Sequence, residues 1–235
     1  MANKEQKQKF VSNSTESIRM FRAGWMEALS KVHFSAPLVI YLPLIALCLW
    51  RSEGGLLNIA GWFLAGLFIW TLTEYVLHRF LFHWIPPGKW GERLHFVWHG
   101  VHHDYPNDRL RLVMPPSVSI PLAIIFFAFF RALVGYPHVY PFFAGFLLGY
   151  LCYDLMHYAI HHLRWNHPFW QRIKQHHMLH HYQYNNRGFG VSNPFWDYVF
   201  NTTFNLSRPV NGFGLFMVNI GDMVANQLTL ELYSA

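Results

Sequence analysis

Cysteine and charge are what this sequence has least of. Cys48 and Cys152 are its only two thiols and both sit in apolar runs, so they can build neither a disulfide framework nor a thiolate metal site. Charged residues fill 13% of 235 positions, against 53% apolar and 19% aromatic, which is too oily for a soluble globular chain of this size. The formal charge of +6 is not gathered on one polar element, which excludes the basic footprint of a nucleic-acid binder. The first thirty residues are polar and lack an apolar core, so no cleavable signal peptide is expected there. No His-Glu-x-x-His run occurs, which excludes that class of zinc protease.

Apolar segments and histidine are what it does have. Residues 35–50, 56–73, 118–134 and 139–153 each have about the minimum length for a membrane helix, near the short end of roughly 17–25 residues. The first two are joined by the polar turn at residues 51–55 and the last two by residues 135–138, giving two hairpins. Four such segments with so little charge to cover them do not suit a soluble core. Ten tryptophans and twelve tyrosines fit aromatic rings at the bilayer interfaces. Lys4, Lys7, Lys9, Arg19, Arg22 and Lys31 precede the first span, and Arg79, Lys89, Arg93, Arg109 and Arg111 lie between the second and third. The hairpin turns offer only Arg51 and the nearby Arg131. The positive-inside rule therefore puts both termini and the middle loop in the cytosol. Residues 14–31, with Ile18, Met20, Phe21, Trp25 and Leu29, are expected to form an amphipathic helix on the headgroups, after a disordered first dozen. The expected organisation is a cytosolic arm over 1–34, a membrane and catalytic domain over 35–205, and a tail over 206–235 with no assignable role. Asn-x-Ser/Thr at Asn13, Asn201 and Asn205 is expected to be cytosolic and unglycosylated.

Of sixteen histidines, six lie between 78 and 103 and eight between 157 and 181, all on one predicted side of the bilayer. An internal repeat is visible: hairpin, then two histidines, then His-x-x-His-His. It runs through His78, His83, His99, His102 and His103, and again through His157, His161, His177, His180 and His181. On a helix, positions i and i+4 share a face while i+3 sits slightly round from them. His99 and His103 can thus point at one metal and His102 at a neighbour, and likewise within 177, 180 and 181. His157 and His161 form a plain i, i+4 pair. His78 and His83, five apart, would splay on a continuous helix, so the helix is expected to end at His83, just before Pro86-Pro87-Gly88. A lone helical histidine is more often a satisfied polar residue than a ligand, but this doubled pattern points to two first-row metals with open positions. A closed structural zinc would want thiolates. His162, His167 and His176 fall off the ligand faces, His95 stays open because it shares a face with His99, and His33 and His138 read as interface residues. Glu74 and Asp154 occupy equivalent places in the two repeats, where a carboxylate could accept the second ring N–H of a ligating histidine; a headgroup-level charge is the other reading of Glu74.

The segments EYVLHRFLFH (74–83), LHFVWHGVHHDYPNDRLRLVMPP (94–116), GYLCYDLMHYAIHH (149–162) and HHMLHHYQYNNRGFGVSNPFWDYVFNT (176–202) resemble the fatty acid hydroxylase superfamily. Within it they look most like the fatty acid 2-hydroxylases, over roughly residues 30–205. The resemblance implies an all-α integral membrane enzyme with four transmembrane helices and a cytosolic helical cap over a dinuclear histidine site. One metal would take His78, His83, His99, His103 and His180, the other His102, His157, His161, His177 and His181, with Tyr153 and Asp154 beside them. The implied metals are two iron ions, with zinc possible in purified material. The implied reaction places one oxygen atom of dioxygen at C2 of a long acyl chain, in a bacterial inner membrane or the endoplasmic reticulum. Residues 113–121 and Gly188-Phe189-Gly190 are candidate walls for the acyl chain. Many eukaryotic relatives carry a fused b5-type cytochrome domain. About 34 residues before the first span leave no room for one, so a separate b5-type cytochrome or ferredoxin is expected to deliver electrons. The competing readings are a sterol or carotenoid hydroxylase or desaturase, a metal transporter and a structural zinc protein. A transporter would place polar ligands inside the spans, which here are nearly clean.

Overall fold

A computed structural model describes residues 10–164 and 166–204 of the chain. The chain divides into Met1–Thr203 and Phe204–Ala235, and only the first unit is treated below. The expected tail over 206–235, Asn205 and the first nine residues lie outside the described residues.

Every regular element among the described residues is helical. They are α1 (Gly24–Leu29), α2 (Ala36–Trp50), α3 (Leu56–Val76), α4 (Gly88–His95), α5 (Val101–Asp104), α6 (Pro116–Val134), α7 (Val139–His162), α8 (Pro168–Tyr182) and α9 (Phe195–Val199). Prolines stand in the first turn of α2, α6 and α8, where the missing N–H has no helical partner to lose. Gly135, at φ 77°, ends α6 in a conformation a side chain would resist. Two segments are π-helical: Leu77–Phe82 carries α3 onward, and Phe96–Gly100 joins α4 to α5.

Among the described residues, three helices are long and apolar enough to cross a membrane: Leu56–Phe82, Pro116–Val134 and Val139–His162. The first expected span is the shorter α2, of 15 residues. α7 is the centre of the bundle, because 72% of its apolar window is buried, against 11% in the other two. It packs on α2, α3 and α6 through Phe142, Phe143, Phe146, Leu147 and Tyr150. Glycines let α3 and α7 touch backbone to backbone. A Cβ on Gly66 would sit 1.8 Å from the Phe142 carbonyl oxygen, and one on Gly145 would sit 1.9 Å from that of Phe63. Without a hydrophobic drive between helices in lipid, such small residues permit the close contact that holds a bundle together. Each of α3 and α7 is the second helix of its hairpin, so their histidine-bearing C-terminal ends emerge on the same side.

The amphipathic helix expected over residues 14–31 is realised only as Gly24–Leu29. Glu27 and Arg111 capture the backbone of residues 18–21, which holds that stretch out of helical form.

Candidate metal centre

His78 and His83 are five residues apart, which on an α-helix would separate them by about 140°. The π-helical turn removes that offset. The His83 N–H donates to the His78 carbonyl, five residues back, at 3.3 Å, and the widened turn brings the ring centroids to 4.9 Å. The helix therefore widens in its last turn and ends at His83, where the sequence put its end. The second π turn lies between His95 and His103, and His95 stands outside the histidine groups, its ring centroid 6.5 Å from that of His83.

Two groups of five imidazoles result. One nitrogen from each of His78, His83, His99, His103 and His180 lies within 4.8 Å of all the others, and the same holds for His102, His157, His161, His177 and His181. The two sets match those the resemblance implied. In the first, Nε2 of His78 is 3.1 Å from that of His99 and 3.2 Å from that of His83, and His103–His99 and His180–His83 are each 3.0 Å. Bonds of about 2.1 Å to one ion, at right angles, set neighbouring nitrogens about 3 Å apart. His103 and His181 stack at 4.1 Å, so the groups adjoin.

Protonation tests whether a cation fits. His78 donates Nδ1–H to the Phe189 carbonyl at 2.5 Å, and His180 donates its own to the Arg187 carbonyl at 2.6 Å. A neutral imidazole has one N–H, so both Nε2 atoms are bare lone pairs, and both face the Nε2 of His83. One N–H there could serve only one of them; a shared cation serves all. In the second group the Nε2 atoms of His102, His157 and His181 are buried with no hydrogen-bond partner, a cost of about 1–3 kcal/mol each that a metal would remove. Burial, followed by the neighbouring imidazoles, holds His99, His102, His177 and His181 well below the ordinary histidine range, so these rings are neutral at pH 7. The donor set is imidazole throughout, suited to iron or zinc.

The family model for fatty acid hydroxylases matches residues 63–202, which include all ten of these histidines. The chain is 38% identical over 191 residues to dihydroceramide fatty acyl 2-hydroxylase FAH1 of Arabidopsis thaliana, covering 80% of each chain. It is 37% identical over 213 residues to fatty acid 2-hydroxylase of Rattus norvegicus, covering 79% of this chain and 56% of that one. A solved structure described as full-length scs7p with only its hydroxylase domain visible superposes with a TM-score of 0.74 at 38% identity, covering 80% of this chain and 73% of that one. The chain belongs to the fatty acid hydroxylase family.

In this family member the carboxylates do something other than expected. Neither Glu74 nor Asp154 accepts a ring N–H from a grouped histidine through the contacts it makes. Asp154 is buried and accepts the Met114 backbone N–H at 3.1 Å and the Tyr150 hydroxyl at 3.1 Å. Glu74, also buried rather than at headgroup level, accepts the N–H groups of Val191 and Ser192, both at 2.8 Å. Their position four or three residues before a histidine aims them along the helix flank at a loop instead. The ring N–H groups of His78 and His180 go to backbone carbonyls of residues 187–189, which no spacing argument could reach.

A cavity of about 370 Å³ opens beside the hydroxylase histidines, lined by His99, His102 and His157 and by Tyr153 and Asp154. Val113, Met114, Pro115, Ser117 and Val118 form part of its wall, as expected of residues 113–121. Gly188-Phe189-Gly190 does not line it and instead backs His78. Met20, Phe21, Trp25 and Leu29 of the N-terminal arm close another side. His162 lies tilted against Tyr158, His167 caps α8, and His138 stacks on Trp62. His176 lies 3.2 Å from Asp197, a buried carboxylate that spacing arguments overlooked. Burial pushes the Asp197 carboxyl up, but His176, Thr202 and the Gly190 N–H outweigh it and hold it below the usual range. The signal was available: an aspartate inside the aromatic run Phe195-Trp196-Asp197-Tyr198 must either be solvated or be paired inside.

Proposed function

We propose that this chain hydroxylates long acyl chains at C2, giving 2-hydroxy fatty acyl products. The observation that carries the reading is the meeting of two five-histidine groups at the wall of an apolar cavity. The relatives' names, dihydroceramide fatty acyl 2-hydroxylase and fatty acid 2-hydroxylase, point the same way. His78, His83, His99, His103 and His180 would hold one metal, and His102, His157, His161, His177 and His181 the other. Two iron ions would supply dioxygen activation and C–H cleavage, chemistry that no side chain offers. One oxygen atom enters the C–H bond and the other leaves as water, so each turnover needs two electrons, brought one at a time by a separate b5-type cytochrome or ferredoxin, and two protons drawn from solvent water.

The chain's own residues position the substrate. Carbon C2 would lie beside His102 and His157, with Tyr153 and Asp154 as the side chains next to the reacting carbon. Asp154 also fixes the Met114 backbone and so holds that wall in register with His157, the kind of orientation that keeps neighbouring C–H bonds out of reach. Arg111, the cavity-wall arginine, is already bound to Glu27 at 2.6 Å and to Asp108 at 3.4 Å. It is committed, which favours a neutral acyl lipid such as an N-acyl amide over a free carboxylate. We read α2 as a fourth span and the histidine side as cytosolic, on the distribution of lysine and arginine.

The test is mass spectrometry of hydrolysed lipids from cells expressing the wild type or His180→Ala. The expected result is one added oxygen at C2 of fatty acyl chains, absent with the variant. Loss of two hydrogens, or change confined to isoprenoids, would sink the proposal in favour of a desaturase or a sterol or carotenoid enzyme.

A further inference from the structure

The residues behind His78 take no part in the substrate contacts above, yet they form a dense polar network. Four consecutive backbone N–H groups end on two buried carboxylates. Phe189 and Gly190 donate to Asp197 at 2.9 and 2.8 Å, and Val191 and Ser192 donate to Glu74, both at 2.8 Å. The Phe189 carbonyl of the same loop, like that of Arg187, points to the first histidine group. A peptide unit joins one residue's C=O to the next residue's N–H. The Phe189 carbonyl and the Gly190 N–H therefore lie in one plane, with His78 Nδ1–H at one end and Asp197 Oδ2 at the other.

We propose that Asp197 is a positioning residue for the metal held by the first histidine group, acting on His78 through the Phe189–Gly190 peptide. The inference rests on the metal reading above. A carboxylate on the N–H polarises the peptide and makes its carbonyl a stronger acceptor. That carbonyl then fixes the His78 tautomer with Nε2 bare and raises its basicity, as a direct carboxylate does for other metal-bound histidines. Gly190 admits the approach, since a Cβ there would sit 2.1 Å from the Asn193 carbonyl oxygen and 3.0 Å from Asp197 Oδ2. Thr202 donates to Asp197 Oδ1 at 2.7 Å and holds the carboxylate in place. Among the described residues, this arrangement is seen behind the first group. The corresponding peptide behind His180, Arg187–Gly188, ends on the neutral Thr202 carbonyl at 2.9 Å, and in the second group the Nδ1 atoms of His177 and His181 have no hydrogen-bond partner.

The full chain, purified in detergent and loaded with zinc or ferrous ion, is titrated with chelator while metal per chain is read by elemental mass spectrometry. Asp197→Asn is expected to release one of the two metals at a roughly tenfold or more lower chelator concentration, the size typical of outer partners of ligating histidines, and to keep the second as the wild type does. Thr202→Val removes a contact to the same carboxylate but spares its bond to Gly190, and is expected to lower Tm while holding both metals. Wild-type retention in Asp197→Asn, equal weakening of both metals, or the same release from Thr202→Val each overturns the proposal. If Asp197→Asn does not fold, wild-type hydrogen exchange decides. Metal loading should raise protection of the Phe189 and Gly190 amides, because coupling is reciprocal, and unchanged protection overturns it. A wild-type chain that binds no metal removes the underlying reading first.

Discussion

Glu27 ties the N-terminal arm to the cavity. Its carboxylate accepts the N–H groups of Met20 at 2.9 Å and Phe21 at 3.1 Å and pairs with Arg111 at 2.6 Å and Lys31 at 3.0 Å. Burial works against the charge, but the Phe21, Lys31 and Met20 hydrogen bonds and the Arg111 charge prevail and hold the carboxyl at about 2. A carboxyl lowered on folding stabilises the fold above its ordinary value of 4.5, and that contribution fades as pH falls toward about 2. Glu27→Gln leaves the buried Arg111 with Asp108 as its remaining carboxylate, so the expected cost is on the order of 3 kcal/mol at most. The measurable result is trypsin cleavage after Arg19 and Arg22 at least about tenfold faster than in the wild type. Cleavage at the wild-type rate would show that the arm is held by its apolar contacts alone.

The element scale is governed by close approach and by helix pitch. At the α3–α7 crossing the atom facing Gly145 is a backbone oxygen, which cannot swing aside. Gly145→Ala is expected to force the helices apart and cost about 1–3 kcal/mol. Gly61→Ala, on the same α3 but with open space around it, is expected to be neutral or slightly stabilising. Thermal unfolding in detergent compares the two, and an equal Tm for both variants would refute the crossing argument. The π-helical turns act at this scale too. Each gives up regular α-helical hydrogen bonding, and in exchange the first aligns His78 with His83.

For the whole molecule, the ten histidines come from segments far apart in the chain, so bound metals would cross-link the N-terminal hairpin to the C-terminal one. Stripping the metals leaves neutral, buried imidazoles. His99, His102, His177 and His181 all fall well below the ordinary 6.5 on folding. Below that pH the unfolded chain takes up protons that the folded chain refuses, so stability is held above about 6.5 and lost as pH drops. The chelator-treated protein is expected to lose Tm steeply between pH 7 and pH 5, and the loaded protein to lose less over the same interval. A stripped chain with a flat profile would contradict the buried, neutral state of these rings.

The apolar segments, the doubled His-x-x-His-His and the commitment to imidazole ligands were legible in the sequence, because helical periodicity is local and fixes which side chains share a face. The split of His102 from His103 followed from the same rule. Three things were decided by the fold. The π-helical turns depend on how α3 and α4 are held at their ends, so residue spacing found the helix end at His83 but not the widened turn that aligns it with His78, and it left His95 open. The reach of Glu74, Asp154 and Asp197 depends on where the loops at residues 111–115 and 187–193 return, a matter of contacts more than 100 residues apart for Glu74. The arm over residues 14–31 has an amphipathic pattern, but a buried carboxylate and guanidinium compete for its backbone, and only the packed chain brings Glu27 and Arg111 close enough to win.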